Sequence, residues 1–248
     1  VIKGGSAELP PLTVGTVQVW QLRLDEVGTY EAVLMPLLTA EECQRAWRFH
    51  FARDRQTFVG TRAVLRILLG AYLGQDPAKI QFHYGAWGKP ILVPEENVKG
   101  VEFNVSHSHG LALLAFHREQ AVGVDVEMIR ADLDLEEMAV RFFSTREVTR
   151  LRMLPVEERT AAFFRCWTRK EAFLKACGTG LALSLSRFSV SLEVDRAELL
   201  EAVDRPEEVA RWKLVPLSVG GEYAAALAVA AETVPQVVMQ SWEWPGRF

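Results

Sequence analysis

Residues 122–127 read Val-Gly-Val-Asp-Val-Glu. So strict an alternation commits the segment to a strand with two unlike faces, because side chains alternate along extended backbone. Val124 and Val126 point into a core, and Asp125 and Glu127 share the opposite face. Like charges on one strand face repel unless a cation compensates them. Residues 167–175 read Trp-Thr-Arg-Lys-Glu-Ala-Phe-Leu-Lys. Helical residues four apart stack, so Trp167, Glu171 and Lys175 form one stripe with Lys170 beside it. Alone, each piece is ordinary: a solvated acidic pair, and a Glu171–Lys175 pair worth only ~0.3 kcal/mol. Facing each other, Asp125, Glu127 and Glu171 make an oxygen-only ligand set suited to Mg²⁺, or to Mn²⁺ in its place. The lysines then stand ready for phosphate.

The remaining pattern predicts an α+β fold of helices packed on antiparallel sheets. Strands are expected at 16–24, 80–84, 101–107, 111–117 and 121–127, then at 187–194, 211–217, 222–230 and 236–242. Thr39 to Glu42 and Ser144 to Glu147 are capping boxes, each opening a helix. A further helix, with Asp54 as its cap, runs to Gly74; others span 134–143 and 157–177, the last stopping at Gly178. Turns fall at 85–90, carrying Lys89, at 108–110 and at 220–221. The division is set at 120/121, giving an N-terminal half (1–120) and a C-terminal half (121–248) with the acidic strand at the seam, where ligand sites concentrate.

The chain has 248 residues, 49% of them apolar, enough for a substantial core. A net charge of −4 argues against a nucleic-acid partner. The absence of a run of ~18 apolar residues argues against a membrane span, and the expected compartment is the cytoplasm. The cysteines, Cys43, Cys166 and Cys177, have no metal-ligand spacing. Ser106 and His107 are strand neighbours pointing to opposite faces, so His107 is not placed to activate Ser106. Ser106 shares a face with Asn104, a polar strip for a ligand. Glu147 is explained by its capping box; the alternative is a general base. Arg141, Arg146, Arg150 and Arg152 form a basic cluster on an acidic chain: a dock for an acidic partner, or a salt-bridged surface.

In order and spacing, Phe103-Asn104-Val105-Ser106-His107, residues 122–127, Phe142-Phe143-Ser144, Phe164, residues 167–176 and Gly178-Thr179-Gly180-Leu181 resemble the 4′-phosphopantetheinyl transferases of the Sfp type. Gly88-Lys89-Pro90 and the Arg48-Phe49 to Asp54 stretch match as well. The resemblance spans about residues 39–194. It implies two similar α+β halves in a pseudo-twofold arrangement with coenzyme A between them. It implies Mg²⁺-dependent transfer of the phosphopantetheine arm to a serine of an acyl, peptidyl or polyketide carrier protein, releasing 3′,5′-ADP. Asp125, Glu127 and Glu171 would hold the metal. Lys175 and Lys170 would clamp the phosphates. Ser106, His107, Lys89 and Arg45 would contact coenzyme A, and Glu147 would be the base. Glu42 stands where some relatives have a basic nucleotide contact. The short trimeric holo-synthases are half as long, so this chain implies a monomer. Arg141, Arg146 and Arg150 would meet the carrier protein. A Mg²⁺-dependent nuclease and an inactive binding module are the alternatives.

Overall fold

The computed structural model describes residues 9–85, 88–95, 97, 99–178 and 183–244. In chain order the elements are β1 (Thr16–Arg23), α1 (Val27–Leu34), α2 (Ala40–Trp47), α3 (Ala52–Leu73), β2 (Phe82–Tyr84), β3 (Pro90–Leu92), β4 (Val101–Ser108), β5 (Leu111–Arg118) and β6 (Val122–Met128). Then come α4 (Leu135–Phe142), α5 (Thr145–Met153), α6 (Val156–Cys177), β7 (Phe188–Val190), β8 (Leu199–Ala202), α7 (Glu208–Arg211), β9 (Trp212–Pro216), β10 (Tyr223–Ala230) and β11 (Gln236–Ser241).

Four layers result, and the fold is α+β. One sheet has the order β11-β1-β5-β4 and another β6-β10-β9. Val17, Val19, Leu111, Leu113 and Ala115 of the first pack against Val122, Val124, Val126, Leu227 and Val229 of the second. The outer face of the first sheet, with Trp20, Leu22, Leu114 and Phe116, is covered by Val59, Ala63 and Leu68 of α3. The outer face of the second, with Leu214, Ala226 and Ala228, is covered by Phe163, Phe173 and Ala176 of α6. The two covering helices are alike: each has 22 residues and stops on a left-handed glycine, Gly74 or Gly178.

Local chemistry explains the ends. Both capping boxes are complete, Thr39 with Glu42 and Ser144 with Glu147. β4 and β5 are joined by His109 (φ 44°) and Gly110 (φ 86°), a two-residue turn whose positive φ values suit the strand twist. Helix α3 starts before the expected cap: Phe51 holds the N-cap position, and Asp54 lies in the first turn, where the helix dipole favours an acid.

One expectation is corrected, one helix stands where none was expected, and one sheet draws strands from both halves. The strand expected over 187–194 ends at Val190, because guanidinium groups take the following carbonyls: Arg169 donates to Ser191 O and Glu193 O, and Arg165 to Leu192 O. Helix α1 lacks a side-chain cap and is held instead by packing of Val27 on Gly60, where a Cβ would lie 2.6 Å from Val27 Cγ2. The division at 120/121 does not separate the sheets, since β11 pairs in parallel with β1. No helix among the described residues is long and apolar enough to cross a membrane.

Candidate active site at the seam

The site begins with a glycine. A Cβ on Gly123 would sit 2.1 Å from Ala172 O and 2.4 Å from Ala176 N, so only glycine lets α6 lie this close on β6. That approach brings the same turn of α6, which carries Lys175, beside the acidic strand. Lys175 Nζ lies 2.7 Å from Asp125 Oδ1 and 2.9 Å from Ser106 Oγ. Lys175 thus bonds across the seam as well as sharing a helix face with Glu171.

Strand β6 runs alongside β4, but side chains replace a backbone ladder. Asn104 Oδ1 accepts from Val124 N (2.9 Å), Ser106 Oγ from Val126 N (3.4 Å) and Ser108 Oγ from Met128 N (3.2 Å). The serines also donate outward, Ser106 to Asp125 Oδ1 and Ser108 to Glu127 Oε2, both at 2.8 Å. The polar strip expected to face a ligand therefore faces β6. Ser108 was read only as a turn residue, although the period of two from Asn104 and Ser106 reaches it.

The three carboxylates sense one another. Burial raises the proton affinity of Glu127, and the charge of Asp125 adds to it. Burial raises that of Glu171, followed by Asp125, while Lys175 opposes the shift. Asp125 is only 3% exposed, and its Oδ2 is buried with no hydrogen-bond partner. Among the described residues, no group of three or more His, Cys, Asp or Glu side chains already stands in metal-holding geometry. The chemistry of the donors does fit a hard divalent cation, being all carboxylate oxygen with one buried oxygen unpaired.

Two clefts flank this cluster. One, of about 390 Å³, is lined by Lys89, Asn104, Glu171 and Lys175 with Phe103 and Leu174. Lys89 Nζ donates to Lys175 O at 2.8 Å, a cation on the last turn of α6 where the dipole favours it. Burial lowers its proton affinity, which Glu102 partly restores. Residues 86–87 of its turn lie outside the described residues, as do 179–181 of the glycine-containing segment after α6. The other cleft, about 510 Å³, brings together Arg45, Arg53, His107, His109 and Phe58. The Arg45 guanidinium lies 5.2 Å from the Phe58 ring centre. Desolvation in the cleft, and then the Lys175 charge, lower the proton affinity of His107. From the sequence, Arg53 reads as part of a solvated basic face and His109 as a weak metal partner of His107; the structure places both on the wall of this cleft.

Lys170 and Glu147 lie elsewhere. Both are buried, 0% and 1% exposed. Lys170 Nζ contacts both Glu147 oxygens at 2.7 Å and Phe188 O at 2.6 Å. Glu147 also accepts from Ser144 N and Val190 N. An ammonium has three hydrogens, and all three are used. This corrects two expectations: Lys170 has no donor left for a phosphate, and Glu147 is an interior anchor between α5 and α6 rather than a base facing a cleft. Glu42, at the expected nucleotide contact, is also buried, paired with Arg66 at 2.8 Å.

Arg141, Arg146 and Arg150 are exposed. Arg150 pairs with Glu193 and Arg152 with Glu136, while Met153 (80% exposed) and Val156 (73% exposed) stand beside them in sequence.

A sequence model described as the 4′-phosphopantetheinyl transferase superfamily matches residues 121–228. One described as the N-terminal part of 4′-phosphopantetheinyl transferase matches residues 27–119. The 4′-phosphopantetheinyl transferase HetI of Nostoc sp. is 39% identical over 214 residues, covering 86% of this chain and 87% of HetI. The 4′-phosphopantetheinyl transferase Sfp of Bacillus subtilis is 29% identical over 210 residues, covering 84% of this chain and 90% of Sfp. On both sides of the seam that carries Asp125, Glu171 and Lys175, the chain belongs to the 4′-phosphopantetheinyl transferase superfamily, whose members transfer phosphopantetheine from coenzyme A to carrier proteins.

Proposed function

We propose that coenzyme A lies across the seam, with its nucleotide in the Arg45–His107 cleft and its pyrophosphate against Lys175 and Lys89. The hydroxyl of the carrier serine attacks the phosphorus that bears the pantetheine arm and loses its proton to water; the bond to the bridging oxygen breaks and 3′,5′-ADP leaves. Asp125, Glu127 and Glu171 would hold Mg²⁺. When bound, the ion would neutralise the pyrophosphate and stabilise charge on the leaving group. Lys175 is the movable cation, since its ammonium rests on Asp125 and Ser106 at the edge of the cleft. Arg45 and His107 supply donors at the nucleotide end, and the Ser106 hydroxyl fixes Asp125. The observation that carries this reading is the buried, unpaired Oδ2 of Asp125 between two clefts lined by cations.

The test is intact mass of an apo-carrier protein after incubation with enzyme, coenzyme A and Mg²⁺. The phosphopantetheine adduct is expected with wild type. With Asp125→Ala, turnover should fall about 100-fold or more, the scale of a displaced catalytic group, with the fold retained by circular dichroism. Near-normal turnover by that variant would remove Asp125 from the site.

The chain carries matches to both the N-terminal and the superfamily sequence models, so it contains both halves, which supports a monomer. The three cysteines are free, which supports a reducing, cytoplasmic setting. Docking of an acidic carrier would use Arg141, Arg146 and Arg150. Arg150 can exchange its exposed Glu193 partner at little cost, because such pairs contribute ~0–1 kcal/mol. Charge reversal at Arg146 and Arg150 should raise the carrier KM about tenfold and leave the coenzyme A KM unchanged, read by steady-state kinetics. An unchanged carrier KM would place docking elsewhere.

A further inference from the structure

We propose that Ser108 is the positioning residue for Glu127, holding that carboxylate in place for a divalent cation. The inference rests on the metal reading above.

Ser106 and Ser108 repeat one unit along β4. Each hydroxyl accepts a main-chain N–H of β6 and donates to the carboxylate just before it in sequence: Val126 and Asp125 for Ser106, Met128 and Glu127 for Ser108. A hydroxyl has one hydrogen and two lone pairs. At Ser108 the hydrogen goes to Glu127 Oε2 and one lone pair takes Met128 N–H. His109 Nδ1 lies 3.1 Å away and fills the second lone pair when that nitrogen carries the ring proton. The hydroxyl is then fully committed and cannot swing to another acceptor.

Its backbone is held as well. Ser108 is the last residue of β4 and is 7% exposed. The turn that follows has both residues at positive φ, and Tyr223 Oη donates to His109 O at 2.7 Å. Strand end, turn and hydroxyl therefore form one rigid mount. It fixes Glu127 Oε2 and leaves Oε1 as the oxygen for a cation. Glu127 is only half-buried and sits near the end of β6; without the mount its side chain would be free to rotate into solvent. Partners that orient metal ligands in this way typically contribute 10–100-fold in affinity.

The test is Mn²⁺ binding by electron paramagnetic resonance, with thermal melting and the KM for Mg²⁺ alongside. Wild type, Ser108→Ala, Ser108→Thr and Glu127→Gln are compared. Ser108→Ala should bind Mn²⁺ about tenfold more weakly and raise the Mg²⁺ KM more than it lowers kcat. Ser108→Thr keeps the hydroxyl and should restore binding. If Ser108→Ala binds like wild type while Glu127→Gln does not, the assignment of Ser108 is wrong and the metal reading stands. If Ser108→Thr is as weak as Ser108→Ala, the hydroxyl is not the operative group. If wild type binds no Mn²⁺, or Glu127→Gln binds as wild type does, the metal reading itself fails. Should the alanine variant unfold, Ser108→Val, which has the shape of threonine without the hydroxyl, replaces it: weaker Mn²⁺ binding than Ser108→Thr supports the assignment, and equal binding overturns it.

Discussion

Gly123→Ala is expected to lose both stability and turnover. The added carbon would meet the α6 main chain at 2.1 and 2.4 Å, and main chain cannot rotate aside as a side chain can. Helix α6 must move off β6, at a cost near or above the ~3 kcal/mol upper end of ordinary overpacking. The helix carries Glu171 and Lys175, so the same shift separates them from Asp125. A displacement of ~1 Å at reacting groups lowers rates by about 100-fold. Urea unfolding and transfer rate measured on the same preparation test this. A variant with wild-type stability and rate would show that the close approach does not position the site.

Lys170→Met is expected to be the most destabilising change outside the backbone. It leaves Glu147 charged and buried, with oxygens that had bonded the ammonium now without it. Removing one partner of a buried pair costs about 3–5 kcal/mol. Adding Glu147→Gln to Lys170→Met should recover part of that loss, since a neutral amide needs no counter-charge and can still accept one main-chain N–H. Denaturant midpoints of the two single variants and the double test the pair as a cycle. The result to watch is the opposite pattern, full stability with a collapsed kcat, which would return Lys170 to the phosphates.

Why the sequence misplaced Lys170 is a matter of helix geometry. The stripe of Trp167, Glu171 and Lys175 carries Glu171 and Lys175 to the cleft beside β6. Lys170 is one residue away, which is about 100° around the axis. It falls instead in line with Phe163, Cys166 and Phe173, all buried, so a lysine inside an apolar stripe was the legible sign that it needed an interior partner. Glu147, fixed by its capping box, is that partner. The alternation in residues 122–127 was enough to assign faces correctly, because Val124 and Val126 enter the inter-sheet core. The two capping boxes and the terminal glycines placed their helix ends for the same reason, each satisfying backbone groups locally; Asp54, which does not cap α3, did not. Elements stabilised from afar were not legible. Helix α1 depends on packing against Gly60, and the mount on Glu127 depends on a register between β4 and β6 that no local pattern encodes.

The pairing of β11 with β1 bears on how the molecule assembles. β1 is formed near the start of the chain, yet one of its edges stays unpaired until residues 236–241 are available. The first sheet therefore cannot be completed by the segment that supplies most of its strands. Contacts between such distant positions are slow to form, because loop closure must precede the gain from pairing. During synthesis the early half would present an open strand edge to its surroundings, a template for association with other chains. The two halves are in this sense interlocked: the last strand closes the first sheet, and neither half is a module that could be cut free at the seam.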